Sequence, residues 1–324
     1  MLREKLLREI ERFENLPERM VDVKVTPLCR YGFRIHFGDV SLPDGKEVAL
    51  SLMAVTHGNE VGGIAVLNSL VDFWLKSGVF PTFTVDLFLG NPQASLKDKR
   101  FLERDLNRSF GRTENLAHED KRARELEPFL SKCCFLLDIH QTIEKCDNPF
   151  FIFGYSEDCF RFATSISTEI PVVTHWGKGF SSDGQCGDEF VTRSGGIGIT
   201  LELGQKGFGT YMESVGMLSA LNTVYVVQRW LNGVPLVDQA GTPEQIFTWG
   251  EVLDWPDDSA ALDEGWYNFR EVEAGEQLGN SDQGPIRAGA SGPVLFPKYP
   301  GQGEPKPAEI CRILRRVTIA ELGR

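Results

Sequence analysis

The sequence lacks several features that would assign it to common protein classes. It has no apolar run of about 18 residues, so it predicts no membrane-spanning helix. It has no C-x-x-C pair, which argues against a thiolate zinc site or a thioredoxin-like centre. It also lacks G-x-G-x-x-G between a strand and a helix, so no dinucleotide site is indicated. Histidine is scarce, with 5 in 324 residues, which limits where a histidine-ligated metal could bind.

Positive charge is also in short supply. The chain has 34 Lys and Arg against 46 Asp and Glu, a net charge of −12. This balance argues against nucleic acid or an anionic membrane as a partner. It would also repel a small anionic substrate, so such a substrate requires a local group of arginines.

The N-terminus resembles a surface helix rather than a targeting signal. Leu2, Leu6, Leu7, Ile10 and Phe13 recur at helical spacing among many charges. No continuous apolar stretch with a small-residue cleavage site is present, so we expect a cytoplasmic protein. In that compartment all seven cysteines are expected to be reduced thiols.

Strand-like and helix-like runs alternate through the first two thirds of the chain. This alternation predicts an α/β fold with a mixed, largely parallel central sheet flanked by helices. After Gly233-Val234-Pro235 only short alternating runs remain, so we expect a catalytic domain over 1–235 and a small β-rich domain over 236–324. The predicted strands cover 47–57, 82–92, 133–140, 149–155, 170–176 and 196–204, and the predicted helices cover 59–76, 121–130 and 211–231.

Two histidines follow or end predicted strands in a pattern that suggests a metal site. His57 ends the first strand, and Glu60 follows three residues later at the start of a helix. His140 ends a later strand, with Asp138 two residues before it as a candidate hydrogen-bond partner. Two histidines and a glutamate with one open position are typical of catalytic zinc. H-x-x-E by itself is a weak signal, so a structural role for these histidines stays open at this point.

A polar block over residues 89–111 begins where the second strand ends. It carries Arg100, Arg104 and Arg108 together with Asn91 and Asn107. An arginine presents a planar fork that binds carboxylates, so the block could supply the cationic site that an anionic substrate needs. A solvated surface loop held by salt bridges is the alternative interpretation.

Glu202 lies inside the apolar strand sequence ITLEL, between Leu201 and Leu203. A carboxylate in such a strand must be paired, bind a metal or have a function, because burying it alone is costly. Beside a metal it could act as a general base. Arg193, in the preceding segment, could return towards the same opening.

Together these blocks resemble the succinylglutamate desuccinylase/aspartoacylase family, a branch of the zinc carboxypeptidase-like hydrolases. Each motif is modest, but five in order over about 150 residues are specific. The motifs are HGNE at 57–60, GNPQA at 90–94, KRF…DLNRSF from Lys99 to Phe110, DIH at 138–140 and LELG at 201–204.

The resemblance implies one zinc ion per chain, held by His57, Glu60 and His140. It also implies that Glu202 is the catalytic carboxylate and that Arg100 polarises the scissile carbonyl. The expected reaction is hydrolysis of the amide bond of a small anionic N-acyl amino acid, of the N-succinylglutamate or N-acetylaspartate type.

The resemblance further implies which residues bind the substrate. Asn107 and Arg108 are expected to hold a carboxylate. The TRS segment at 192–194 resembles the aspartoacylase segment whose arginine binds the side-chain carboxylate, which predicts that role for Arg193. VLFPKYP resembles the part of the β-rich domain that leans over the active site, which makes Tyr299 a candidate contact.

One departure leaves the substrate open. After His140 the sequence QTIEKCDNPF places Glu144 and Lys145 where the desuccinylases have Thr-Ala and a nearby arginine. A zinc carboxypeptidase acting on a peptide or a cell-wall fragment is a separate alternative. A zinc-containing binding module without catalysis is a second one. Oligomeric state cannot be predicted from these patterns.

Overall fold

A mixed β-sheet of twelve strands forms the centre of the structure. The structure is a computed structural model, and it describes residues 2–114, 116–176, 184–236, 245–300 and 306–324. A separate three-stranded sheet has the order β10-β12-β13, and the large sheet has the order β1-β2-β4-β3-β5-β8-β6-β7-β9-β15-β14-β11. The strands are β1 Lys24–Cys29, β2 Gly32–His36, β3 Val48–Ala54, β4 Val85–Leu89, β5 Cys133–Thr142, β6 Phe150–Gly154, β7 Val172–His175, β8 Ile197–Gln205, β9 Ile246–Leu253, β10 Ala261–Leu262, β11 Glu271–Val272, β12 Gln277–Ser281, β13 Gly284–Arg287, β14 Gly292–Leu295 and β15 Cys311–Arg316.

Helices cover both faces of this sheet. Apolar residues of α1, α3, α6 and α8 pack in one core cluster, and those of α5 and α7 pack in another. The helices are α1 Leu2–Glu14, α2 Leu16–Arg19, α3 Gly62–Ser77, α4 Pro92–Ser95, α5 His118–Leu130, α6 Glu157–Ile166, α7 Gly187–Arg193 and α8 Thr210–Leu231, with 3-10 turns at Leu106–Arg108 and Ile319–Glu321.

The strands that carry the predicted site are parallel neighbours in the middle of the sheet. β4, β3, β5 and β8 pair in parallel, in that order. Every residue of β3, β4 and β5 is buried, because helices cover the sheet on both sides. The carboxyl ends of these strands therefore meet at one edge of the sheet, where ligands bind in open α/β folds.

The predicted fold class is confirmed, with differences at the ends of elements. The helix predicted over 59–76 is α3, which begins at Gly62, because the chain makes a turn through His57 and Glu60 before it becomes helical. The block 89–111 is not entirely irregular: Pro92–Ser95 is a short helix, and Asn91 caps it by accepting a hydrogen bond from the Ala94 N–H.

The region after residue 245 is β-rich, as predicted, but its strands continue the central sheet. β9 pairs in parallel with β7, and β15 and β14 follow beside it. This region has an apolar cluster of its own and a second cluster shared with β6 and β7. The boundary at 235/236 stays a prediction, since residues 237–244 lie outside the described residues.

Two further observations concern predictions from composition. In the described part of the chain, no helix is both long and apolar enough to cross a membrane. All seven cysteines are free thiols, and six of them are buried. A cytoplasmic location stays a prediction.

Candidate active site

The turn that follows β3 directs His57 towards the carboxyl edge of the sheet. Val55 has a φ of 60°, a conformation uncommon for a β-branched residue. Its carbonyl accepts a hydrogen bond from the Asn91 N–H at 2.7 Å. Gly90 packs against this turn, where a Cβ would lie 2.8 Å from the Thr56 Cα, so the close approach requires glycine. Contacts with the end of β4 therefore hold the backbone before His57 in a strained conformation.

His57, Glu60 and His140 converge on one point. The Glu60 carboxylate lies between the two imidazoles, with Oε1 2.8 Å from His57 Nδ1 and Oε2 3.0 Å from His140 Nδ1. All three side chains are buried, and one ligand atom from each lies within 4.8 Å of the others. The two histidines lower the pKa of Glu60 although burial opposes its ionisation. The site therefore holds an ionised carboxylate between two ring nitrogens.

This donor set fits a divalent transition metal such as zinc. His57 Nδ1 is buried and makes no well-oriented hydrogen bond among the described residues, although Glu60 Oε1 lies 2.8 Å from it. Two imidazole nitrogens and a carboxylate oxygen are ligands that zinc accepts, and such a set leaves a position for substrate. These three residues would hold the ion, in agreement with the predicted ligand set.

Carboxylates orient both histidines by contacting Nε2, the ring nitrogen that does not face Glu60. Asp138 Oδ2 lies 2.8 Å from His140 Nε2, and Asp105 Oδ1 lies 3.0 Å from His57 Nε2. A proton on His140 Nε2 satisfies the contact with Asp138 and leaves the Nδ1 lone pair for a metal. The same tautomer of His57 satisfies the contact with Asp105, although Arg100 Nη2 also lies 2.8 Å from His57 Nε2. Thr56 donates its hydroxyl to Asp138 and fixes it in turn. The contact predicted between Asp138 and His140 is confirmed. Asp105 belongs to the DLNRSF motif, but the sequence did not predict its contact with His57.

These pairings are electrostatically strong. Burial opposes ionisation of Asp105, but His57 and Arg100 hold its pKa well below the ordinary value. Burial likewise opposes protonation of His140, but Asp138 and Glu60 raise its pKa well above the ordinary value. Asp105 is therefore a charged group that holds the His57 imidazole in place.

Glu202 lies directly beside His140. The two residues are register partners on β5 and β8, so their side chains leave the sheet at the same level. Glu202 Oε2 is buried and has no hydrogen-bond partner among the described residues. Burial, and next the charge of Glu60, raise the pKa of Glu202 to about 7. This carboxylate is available for proton transfer close to the predicted metal position.

Arg100 contacts the metal-binding group directly. Its Nη1 donates to Glu60 Oε1 at 3.0 Å, and its Nη2 lies 2.8 Å from His57 Nε2 and 3.5 Å from Asp105 Oδ2. The Arg100 side chain is about one third exposed and lines the cavity. Its position beside Glu60 fits a group that stabilises negative charge developing near the metal.

A buried glutamate on α5 shapes the loop that carries Arg100. The carboxylate of Glu119 accepts hydrogen bonds from the N–H groups of Leu102, Glu103 and Arg104, at 2.6, 3.1 and 3.0 Å. It also accepts from the side chain of Asn91 at 2.9 Å. The polar block is therefore a folded loop around one carboxylate rather than a solvated loop.

Asn107 and Arg108 lie on the cavity beside the start of α7. Asn107 Oδ1 accepts a hydrogen bond from the Gly187 N–H at 3.0 Å. Arg108 Nη1 donates to the Asn107 carbonyl at 2.6 Å and to Cys186 Sγ at 3.2 Å. Both side chains line the cavity at positions where they can contact a bound anion.

Two predicted substrate contacts lie away from the cavity. Arg193 is exposed at the end of α7, a helix whose first residue, Gly187, lies near the site. Lys46 donates hydrogen bonds to the carbonyl of the next residue, Ser194, and to the carbonyl of Ser131. Arg193 therefore lies near the first residues of β5 and β8. The prediction for Arg193 is therefore not supported, because helix α7 carries this side chain away from the carboxyl ends of the strands.

Tyr299 is the second of these residues. Its hydroxyl accepts a hydrogen bond from the Trp266 N–H at 2.8 Å and contacts the carbonyls of Asp263 and Trp266. These contacts direct the Tyr299 side chain towards residues 263–266 of the C-terminal region, and Tyr299 does not line the cavity. The neighbouring Lys298 lines it instead, so the predicted segment contributes to the site through another residue.

A cavity of about 730 Å³ extends from the metal-binding group to the C-terminal region. We use "catalytic wall" for the lining residues between His57 and Glu202, and "C-terminal wall" for those from residue 268 onwards. The resemblance of VLFPKYP indicated one segment of the C-terminal wall, and no motif indicated the rest of this wall. Its members are Asn268, Phe296, Pro297, Lys298, Lys306, Pro307, Ala308, Glu309 and Arg312.

His175 also lines the cavity, on the catalytic wall. It is buried at the end of β7, and its ring stacks on Trp249 with centroids 5.3 Å apart and planes inclined by 13°. Arg312 lies over the same indole, with its Cζ 4.3 Å from the ring centroid. Stacking on Trp249 thus joins the two walls.

Comparisons with known proteins identify the family of this chain. Residues 45–229, more than half of the chain, match the family description "Succinylglutamate desuccinylase/Aspartoacylase catalytic domain". The chain is 32% identical over 179 residues to a probable aspartoacylase of Prochlorococcus marinus, a match that covers 51% of this chain and 55% of that protein. The succinylglutamate desuccinylase of Serratia proteamaculans is 28% identical over 221 residues, covering 63% of this chain and 64% of that one.

A solved structure shows the same fold over most of the chain. The succinylglutamate desuccinylase of Vibrio parahaemolyticus superposes with a TM-score of 0.70 at 16% sequence identity, covering 91% of this chain and 89% of that one. In sequence, by contrast, the chain spans little more than half the length of the first relatives it matches. The similarity beyond the catalytic region is therefore one of fold.

Proposed function

Since the chain belongs to the succinylglutamate desuccinylase/aspartoacylase family, we propose that it is a zinc-dependent deacylase of small N-acyl amino acids. The reaction would split the amide bond into a carboxylate and a free amino acid, with one zinc ion per chain in a cytoplasmic enzyme. The observation that carries the proposal is the unpartnered Glu202 oxygen beside the cluster of His57, Glu60 and His140. A purely structural role would leave no reason to bury that oxygen without a partner.

His57, Glu60 and His140 hold the ion in this proposal, with Asp105 and Asp138 fixing the two imidazoles. A bound zinc ion polarises a carbonyl oxygen and makes water nucleophilic near neutral pH. Glu202 accepts the proton as the water oxygen bonds to the amide carbon. It then passes that proton to the nitrogen as the carbon–nitrogen bond breaks.

Arg100, Asn107 and Arg108 act on the substrate. The guanidinium of Arg100 donates hydrogen bonds to the carbonyl oxygen as that oxygen gains negative charge. Asn107 and Arg108 bind the carboxylate of the amino acid, which holds the amide within reach of Glu202. These cations also give an acidic protein, of net charge −12, a positive site for an anionic substrate.

The test is amine release from a panel of compounds by wild type and by Glu202→Gln. The panel contains N-succinylglutamate, N-acetylaspartate, N-acetylalanine and a dipeptide with a free carboxyl terminus. Zinc-dependent release from an N-acyl amino acid, lost in the variant, would support the proposal. Release from the dipeptide alone would favour the carboxypeptidase alternative, and no release from any compound would contradict both.

A further inference from the structure

Arg100 and Asp105 approach the metal-binding group from one loop, five positions apart. Arg100 Nη1 lies 3.0 Å from Glu60 Oε1, and Asp105 Oδ1 lies 3.0 Å from His57 Nε2. The two side chains also contact each other, with Arg100 Nη2 3.5 Å from Asp105 Oδ2. Residues 101–104 between them belong to no helix or strand. Regular pairing therefore does not set the positions of these two residues.

The carboxylate of Glu119 fixes the backbone of this loop. It accepts hydrogen bonds from three of the four peptide N–H groups between Arg100 and Asp105, those of residues 102–104. Glu119 is 0% exposed, so water does not compete for these contacts. Hydrogen bonds that a carboxylate accepts are about twice as strong as those between neutral groups. One side chain therefore holds the segment that connects the two residues.

Glu119 is itself held from two sides. It lies in the first turn of α5, where the helix dipole favours a negative charge. Its Oε1 also accepts from the Asn91 side chain at 2.9 Å, and the Asn91 N–H donates to the Val55 carbonyl in the turn before His57. The carboxylate thus connects the loop of Arg100 to the turn that positions His57.

We propose that Glu119 is a positioning residue that holds Arg100 and Asp105 on the metal-binding group at the same time. Glu119 does not line the cavity, so it touches neither substrate nor metal and acts through these two residues. The part of the inference that concerns Arg100 rests on the proposed deacylase function. The part that concerns Asp105 requires only that His57 binds a metal, so it is tested without turnover.

Glu119→Gln tests this role at constant side-chain size. Each carboxylate oxygen accepts two hydrogen bonds, so in either orientation the amide leaves two N–H groups without an acceptor and directs its own N–H groups at them. The loop should then relax, and a displacement of about 1 Å lowers a rate by about a hundredfold. Asn107 has a separate anchor at the Gly187 N–H, so substrate binding should change little.

The first experiment is a double-mutant cycle for turnover at saturating zinc, with Glu119→Gln, Arg100→Ala and the double variant. The substrate is the N-acyl amino acid of the panel that wild type hydrolyses fastest. We expect Glu119→Gln to lower kcat by about tenfold to a hundredfold, with KM changed by less than about threefold. In the Arg100→Ala background it should lower kcat by less than about threefold, because the group that it positions is absent. Equal losses in both backgrounds would overturn the proposal.

The second experiment measures zinc affinity by competition with a chromophoric chelator and needs no substrate. Glu119→Gln should weaken zinc binding by about tenfold, the effect of disturbing the partner of a ligating histidine. In the Asp105→Asn background it should cause no further loss, since the contact with His57 is already impaired. An additive loss in the double variant, or unchanged affinity in Glu119→Gln, would contradict the role of Glu119.

Glu9→Gln is the matched control for the loss of a buried carboxylate. Glu9 is 5% exposed on α1, accepts a hydrogen bond from the Asn68 side chain and pairs with Arg12. This variant should lower stability without changing kcat or zinc affinity, and losses equal to those of Glu119→Gln would attribute the effect to general destabilisation and sink the proposal. If Glu119→Gln does not fold, Glu119→Asp enters the same two cycles, because it keeps the charge on a side chain shorter by one methylene.

Turnover by wild type separates this proposal from the proposed function. If wild type hydrolyses no compound of the panel but the zinc cycle is non-additive, the deacylase function fails and the positioning role at Asp105 stands. If wild type hydrolyses a compound and Glu119→Gln changes neither kcat nor zinc affinity, the deacylase function stands and the role of Glu119 fails.

Discussion

On the catalytic wall, His140 and Glu202 lie near the ends of two paired parallel strands, whereas on the C-terminal wall Lys298 lies in the loop between β14 and β15. His140 and Glu202 are neighbours because β5 and β8 pair in parallel and in register. Lys298 reaches the cavity because Asn268 ties its loop to the segment after β5. The first arrangement depends on regular pairing and the second on individual hydrogen bonds. We therefore expect the catalytic wall to determine the chemistry and the C-terminal wall to determine the substrate.

The largest effect is expected at Glu202. Glu202→Gln removes the proton acceptor but keeps the size of the side chain, so turnover should fall by about a hundredfold to ten-thousandfold. Metal content should stay unchanged, because Glu202 is outside the predicted ligand set. Steady-state kinetics and elemental analysis of the same preparation measure both. A variant that loses metal as well as activity would show that Glu202 is a ligand instead.

A smaller effect is expected at Asp105, which orients His57. Asp105→Asn keeps a hydrogen-bond acceptor and removes the charge, so metal affinity should fall by about tenfold or more. Competition with a chromophoric chelator measures this affinity. Asp282→Asn, at an exposed position, provides the control for net charge. Unchanged affinity in Asp105→Asn would show that the contact with His57 Nε2 contributes nothing to metal binding.

Asn268 tests whether individual hydrogen bonds hold the C-terminal wall. Asn268→Ala leaves the buried N–H of Phe296 without its acceptor, so the free energy of unfolding should fall by about 1–3 kcal/mol. Denaturant titration measures it, with the exposed Asn280→Ala as the matched control. Stability equal to that of the control would remove Asn268 as the link between the two walls.

The smallest effect is expected at Arg193, which motif comparison placed in the substrate site. Arg193→Ala should change kcat/KM by less than about twofold, since an exposed residue distant from the cavity contributes little. Arg108→Ala, on the cavity, should reduce kcat/KM by about tenfold or more through the loss of a charged hydrogen bond. Comparable losses in the two variants would contradict the placement of Arg193.

The fold and the convergence of His57, Glu60 and His140 were predictable from sequence because both depend on local patterns. Continuous apolar runs indicated buried parallel strands, and polar residues at their ends indicated the edge where His57 and His140 meet. The prediction for Arg193 failed because a motif gives only the position of a residue along the chain. Helix α7 begins near the site at Gly187 and runs away from it, so Arg193 lies at its far end.

Asp105 and Lys298 illustrate what sequence did not reveal. The sequence around Asp105 does not distinguish a residue that caps a turn from one that orients a histidine. In the structure Asp105 does both, because its Oδ1 also accepts a hydrogen bond from the Asn107 N–H at 2.8 Å. Lys298 lines the cavity because Asn268 holds its segment beside the loop that follows β5, which is a property of tertiary contacts. Neither property has a spacing that could be recognised along the chain.

The most direct test of the account is a zinc titration of metal-stripped protein, with amine release from an N-acyl amino acid as the readout. The account predicts no activity without metal, a linear rise on addition of zinc and a plateau at one equivalent per chain. Full activity after removal of metal, or no activity at any zinc concentration despite a folded protein, would contradict it.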